Sequence, residues 1–153
     1  MPFKTIVLWL SALGLGGAFS YASYHKIVDP PDFAKIVYNY KLVPPYLINL
    51  AAIYMPWFEL FAGLALITGV CRRGAALGAG LLALVFIAAL SFNLYRGHPT
   101  ICGCFNTHAQ GLTMSREEKF FKMKREIALD GLFVVLAGVV YFGCRRPEEE
   151  ASA

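Results

Sequence analysis

Four apolar stretches leave this chain few ways to fold. They are TIVLWLSALGLGGAFSYA (5–22), YLINLAAIYMPWFELFAGLALITGV (46–70), GAALGAGLLALVFIAALSFNLY (74–95) and IALDGLFVVLAGVVYFGC (127–144). A helix crosses the hydrocarbon core with about 20 mostly apolar residues, within a range of roughly 17–25, so all four qualify. The first and fourth stand near the lower limit. Lipid offers no partner to an unpaired backbone group, so the spanning form is helical. Only 16% of residues are charged, where a soluble domain carries about a quarter. The expected fold is all-α: a four-transmembrane-helix bundle over residues 1–144, followed by a polar tail, RRPEEEASA, at 145–153. With 153 residues this is one domain by size. A cleaved signal peptide with Ala18-Phe19-Ser20 as its cleavage site is the competing reading of the first stretch. The length of the run, and small residues at Gly14, Ala18 and Ala22, favour a retained, closely packed span.

The connections carry their own signals. In HKIVDPPDFAKIVYNYKLVPP, Asp29 is placed to cap a helix whose first turn holds Pro30 and Pro31. Phe33, Ile36, Val37 and Tyr40 then share one face, and Lys35 and Lys41 lie off it. This predicts a short amphipathic helix at the membrane interface between spans one and two. Pro44 and Pro45 separate it from span two, and Pro56 should kink that span. Residues 71–74, CRRG, read as a tight turn. Ser115 and Glu118 have the spacing of a capping box, which opens a helix running through FFKMKRE into span four.

Four spans put both termini on one side and the loops at 23–45 and 96–126 on the other. Basic residues do not choose the orientation cleanly. The termini and the 71–74 turn hold five: Lys4, Arg72, Arg73, Arg145 and Arg146. The two long loops hold nine: Lys26, Lys35, Lys41, Arg96, Arg116, Lys119, Lys122, Lys124 and Arg125. The raw count favours long loops inside. The Arg pairs at the ends of spans two and four favour the short segments inside.

The densest chemistry lies in HPTICGCFNTH, residues 98–108. Cys102 and Cys104 flank one glycine, whose backbone freedom relieves the turn that a disulfide between them needs. Such a bridge is strained, and strained, exposed disulfides tend to be catalytic or regulatory. As a staple it would close almost no loop and remove little unfolded-state entropy. Arg96 and His98 are near in sequence and could favour a thiolate. His98, Cys102, Cys104 and His108 together are an alternative reading, as four ligands suited to zinc or copper, although Cys-x-Cys is not the usual zinc spacing. Cys71 and Cys144, each followed by two arginines, should lie at the opposite membrane face. They read as incidental residues at helix ends, or as palmitoylation or thiol sites.

Three polar residues stand inside the apolar runs: Glu59, Asn93 and Asp130. Glu59 is 11 residues from the end of span two, about 16 Å at the helical rise, and so near mid-bilayer. A carboxylate there is costly and is a functional candidate. It is expected to be protonated, or paired with a polar group such as Asn93. The open alternatives are a proton or quinone-related role and a structural hydrogen bond. Asp130, one turn into span four, is expected near the interface in a structural role.

The chain resembles the DoxX-like superfamily, in its MauE-type, redox-associated branch. The resemblance rests on KIVDP (26–30), FAKIVYNY (33–40), LVP (42–44), PWFEL (56–60), GLALITG (63–69), NLYRG (93–97) and CGCF (102–105). It implies a four-helix membrane bundle with a redox-linked role, Cys102 and Cys104 as the functional pair, and Glu59 at the family's intramembrane acidic position. MauE is implicated in maturing methylamine dehydrogenase, a disulfide-rich periplasmic enzyme, and DoxX relatives include a subunit of thiosulfate:quinone oxidoreductase. The architecture is also similar to DsbB and the vitamin K epoxide reductases, by analogy of fold. Asn106 departs from the glycine that often follows CGCF in the family, and no second cysteine pair shares that face. The expectation is a multi-pass protein of the bacterial inner membrane, with cytoplasmic termini and a periplasmic Cys-Gly-Cys loop. It would act in thiol–disulfide chemistry with a periplasmic thiol or redox protein, or with a membrane redox subunit, with quinone as a candidate cofactor. The alternatives are a non-enzymatic anchor or assembly subunit of a redox complex, and a metal-binding membrane protein. Membrane lipid is an expected partner, and nucleic acid is not.

Overall fold

A computed structural model describes residues 2–100 and 114–144 of the chain. Among the described residues there are five helices and no strands: α1 (Pro2–Val28), α2 (Pro30–Tyr40), α3 (Pro45–Thr68), α4 (Arg72–Tyr95) and α5 (Arg116–Gly143). Four of them, all but α2, are long and apolar enough to cross a membrane. Their outward faces carry large apolar side chains such as Leu10, Phe61, Leu81 and Val135, the surface that lipid rather than water accommodates. The Cys-Gly-Cys pair, His108 and the polar tail lie outside the described residues.

Local signals set the helix ends. Asp29 caps α2, its Oδ1 accepting from the Asp32 amide at 3.3 Å, and Pro30 occupies the first helical position. The capping box of α5 is complete. The Glu118 amide donates to Ser115 Oγ at 3.3 Å, and the Ser115 amide donates to Glu118 Oε2 at 3.0 Å. Pro56 is buried inside α3, which continues on both sides of it. The turn between α3 and α4 comes slightly earlier than the sequence suggests. It is formed by Gly69 and Cys71, with φ of 86° and 48°, so Arg72 already begins the helix. Arg72 lies 3.6 Å from the Trp9 ring of α1, and Arg73 4.7 Å from the Tyr141 ring of α5.

The helices pack mainly as two pairs, α1 with α3 and α4 with α5. In the first pair the backbones meet at Gly16 and Gly63: a Cβ on Gly16 would stand 2.7 Å from the Gly63 carbonyl oxygen. Small residues allow this approach. The contact stripe of α1 runs through Ala12, Leu15, Gly16 and Phe19, whereas Gly14, the glycine expected at the contact, faces open space. Leu15, Leu66, Ala76 and Val140 build one core cluster where α1, α3, α4 and α5 meet. At the other end α2 folds back along α3, and Phe33 and Val37 pack on Ile48 and Ala52. Tyr40 reaches across to Phe86, Leu90 and Met123. The amphipathic stripe read from the sequence is therefore the docking face of α2.

Substituting Gly16→Val should cost about 1–3 kcal/mol, because the added carbons overpack two backbones in contact. Gly17→Ala, where nothing lies within 4 Å, should be tolerated. Thermal unfolding of the two variants in detergent checks the contrast.

Candidate functional site

The polar centre of the bundle forms around a residue that hydropathy places in a loop. Helix α1 continues through HKIV to Val28, and this carries Lys26 inside. Phe19, Ser23 and Lys26 fall on the buried face of α1 at helical spacing, and that spacing was the available signal for Lys26. The Lys26 side chain is 0% exposed and that of Glu59 3%. The Lys26 ammonium donates to both carboxylate oxygens of Glu59, at 2.7 and 2.8 Å. It also sits 5.0 Å from the centroids of the Phe33 and Phe86 rings. One side chain of α1 thus touches α2, α3 and α4. Of the alternatives weighed for Glu59, the structure has a polar partner, the buried Lys26 ammonium rather than Asn93. A buried carboxylate and a buried ammonium each lose hydration at a cost of several kcal/mol. The two-pronged contact and the flanking ring faces offset that loss.

Asp130 lies in the middle of the 28-residue α5 and is 5% exposed. It is within electrostatic reach of Glu126, Lys26 and Glu59. Glu126, one turn earlier on α5, is 7% exposed and was not singled out in the sequence. The segment that ends on it, FFKMKRE, reads as the helical lead-in to span four. Its position three residues after buried Met123 and four before Asp130 was the signal that could have found it. Tyr40 of α2 faces the same two acids. Asn93 is 1% exposed, and its Nδ2 finds no partner among the described residues. It lies two helical turns beyond Phe86 on the same face of α4, which also carries Leu90.

Toward the ends of α4 and α5 the chain is tied together. Gly97 has φ 71°, and its carbonyl accepts from the Arg116 guanidinium at 3.1 Å. The His98 amide donates to the Asn93 carbonyl at 3.1 Å, while its ring is exposed. Arg96 stands over the Phe92 ring at 5.3 Å. Both ends of the connection that carries Cys102 and Cys104 are therefore held at one end of the bundle. Cys71 caps the start of α4 and Cys144 the end of α5, at the opposite end, and both are free thiols. Of the alternative metal set only His98 is described. Among the described residues no group of three His, Cys, Asp or Glu side chains is arranged to hold a metal ion.

These features define a multi-pass α-helical membrane protein whose four spans meet around a buried ion pair. The chain belongs to the MauE family: the family described as "Methylamine utilisation protein MauE" matches residues 4–143. Similar relatives carry the name "Methylamine utilization protein MauE". The one from Methylophilus methylotrophus is 34% identical over 119 residues, which cover 77% of this chain and 60% of the relative. That from Paracoccus denitrificans is 33% identical over 103 residues, 67% of this chain and 55% of the relative. That from Methylorubrum extorquens is 35% identical over 85 residues, 55% of this chain and 46% of the relative. The chain thus spans roughly half the length of the curated relatives it matches. No solved structure matches it.

Removing one partner of the buried pair, by Lys26→Met or Glu59→Leu, should cost about 3–5 kcal/mol by stranding the other charge, and the double substitution should recover much of that loss. A double-mutant cycle on unfolding in detergent reads the coupling.

The Tyr40 phenol gives a second expectation. Burial, and then the acidic side chains Glu126 and Asp130, push its ionisation well above the ordinary value of 10.0. The fold favours the neutral phenol, so this contribution is complete below pH 10 and is lost as pH rises further. Helicity measured by circular dichroism should fall in alkali, and Tyr40→Phe should make that fall shallower while leaving neutral-pH stability nearly unchanged.

Proposed function

We propose that the protein serves the maturation of a partner redox enzyme by thiol–disulfide exchange at Cys102 and Cys104. The relatives named for methylamine utilisation suggest that the partner belongs to amine oxidation. The protein would lie in the bacterial inner membrane with its termini in the cytoplasm and the Cys-Gly-Cys loop in the periplasm, where disulfides persist. The observation that carries this reading is the tie between Gly97 and Arg116. It brings Gly97 and Arg116, which flank the cysteine connection in sequence, together at the end of the bundle opposite Cys71 and Cys144, which supports a reading in which the two pairs of cysteines serve different compartments.

The exchange balances simply. A thiolate of the partner attacks one sulfur of the Cys102–Cys104 disulfide, and the other leaves as a thiolate. A second partner thiolate then attacks the mixed disulfide. The partner gains a disulfide, and Cys102 and Cys104 end as a dithiol, having taken up two electrons. Return to the disulfide would need an acceptor of two electrons and two protons, chemistry that a membrane quinone could supply.

In intact cells a membrane-impermeant maleimide should label Cys102 and Cys104 only after external reductant, and should leave Cys71 and Cys144 unlabelled. Cys102→Ser and Cys104→Ser should each leave the protein inserted but abolish oxidation of the partner. Full activity in both single variants would sink the thiol reading. A stoichiometric complex with the partner and no thiol turnover would instead mark the protein as an assembly subunit.

A further inference from the structure

Among the described residues the buried polar centre holds one ammonium, Lys26, and the acids Glu59, Glu126 and Asp130. Lys26 is committed to both oxygens of Glu59. Asp130 has no basic group within 4.0 Å among the described residues, and its Oδ2 finds no hydrogen-bond partner there. It is nevertheless nineteen-twentieths buried. An ionised carboxylate so placed, beside a second acid and in a membrane helix, would face like charge with little hydration. Binding a proton removes that conflict directly.

We propose that Asp130 binds an exchangeable proton inside the bundle, while the Lys26–Glu59 pair beside it stays ionised. Every surrounding helix contributes to this arrangement. From α1 comes Lys26. The neighbouring His25 instead packs its ring against Tyr21 and Tyr24. From α2 comes the Tyr40 hydroxyl, buried and without a partner among the described residues. From α3 comes Glu59. The facing side of α4 is uncharged, with Phe86 and Leu90 leading to Asn93. On α5 itself, Glu126 lies one turn nearer the end where Arg116 meets Gly97. Asp130, Glu126, Tyr40 and Asn93 thus form a row of polar side chains directed from the ion pair toward that end. The row offers the proton a way in and out without crossing the core built around Leu15 and Leu66. The inference concerns proton binding alone and does not depend on Cys102 or Cys104.

Dicyclohexylcarbodiimide, an apolar reagent for protonated carboxyls, tests this on the full chain in lipid nanodiscs, with modified residues located by mass spectrometry. Asp130 should be modified at mildly acidic pH, with a yield that falls several-fold at alkaline pH, and Glu59 should remain unmodified throughout. In Lys26→Met, Glu59 should become reactive, which also shows that the reagent reaches the centre. The infrared carbonyl band of a protonated carboxyl should be present in the wild type and lost in Asp130→Asn. The proposal is overturned if Asp130 stays unmodified in acid while Glu59 reacts in Lys26→Met, or if that infrared band is missing from the wild type. Protection of Asp130 by sodium or magnesium at fixed pH would equally overturn it, in favour of a bound cation.

Discussion

The contact between Lys26 and Glu59 joins helices that are otherwise arranged in pairs. Packing at Gly16 and Gly63 holds α1 to α3, and the close approach of Gly80 to Ala137 helps hold α4 to α5. Lys26 leaves α1, passes between a ring of α2 and a ring of α4, and ends on a carboxylate of α3. Apolar packing in lipid has weak directionality, since lipid tails compete with side chains on nearly equal terms. A desolvated ion pair differs, because every alternative arrangement leaves a charge stranded. Thus a single polar contact can fix the register of α1 on α3 and the position of α2 over both.

Much of the fold can be read from the sequence because its signals are local. The four spans follow from length and hydropathy. The start of α2 follows from Asp29 and two prolines, its buried face from the spacing of Phe33, Val37 and Tyr40, and the start of α5 from Ser115 and Glu118. Membership of the MauE family was likewise visible in the motifs. The polar centre was harder to see because hydropathy finds spans by what they lack. It ended span one at Ala22, so Lys26 was counted among loop cations. It begins span four at Ile127, so Glu126 falls just outside the apolar run although Ser115 and Glu118 already start the helix that carries it. In both places an ionisable side chain sits on a helix beyond its apolar run, and its burial depends on partners from other helices that hydropathy does not weigh.

The cysteine motif presents the opposite case. Its chemistry is legible from Cys102, Gly103 and Cys104 alone, and the structure contributes the frame around it. Arg116 and Gly97 hold the two ends of the connection together, and Asn93, Tyr40 and the acidic row lie just within. The two halves of the reading meet at this end of the bundle, thiols in sequence and buried acids in space. Electron and proton transfers commonly need both kinds of group, but each kind rests here on its own observations.

The wide separation of the ion pair along the chain also bears on how the protein is made. Lys26 and Glu59 are 33 residues apart, and ribosomes add about 5–20 residues per second. The ammonium therefore emerges on the order of seconds before its carboxylate. During that interval α1 carries an uncompensated cation at its trailing end, which favours holding that end at the lipid headgroups. Full seating of α1 would then await α3, so α1, made before α3, would settle only with it.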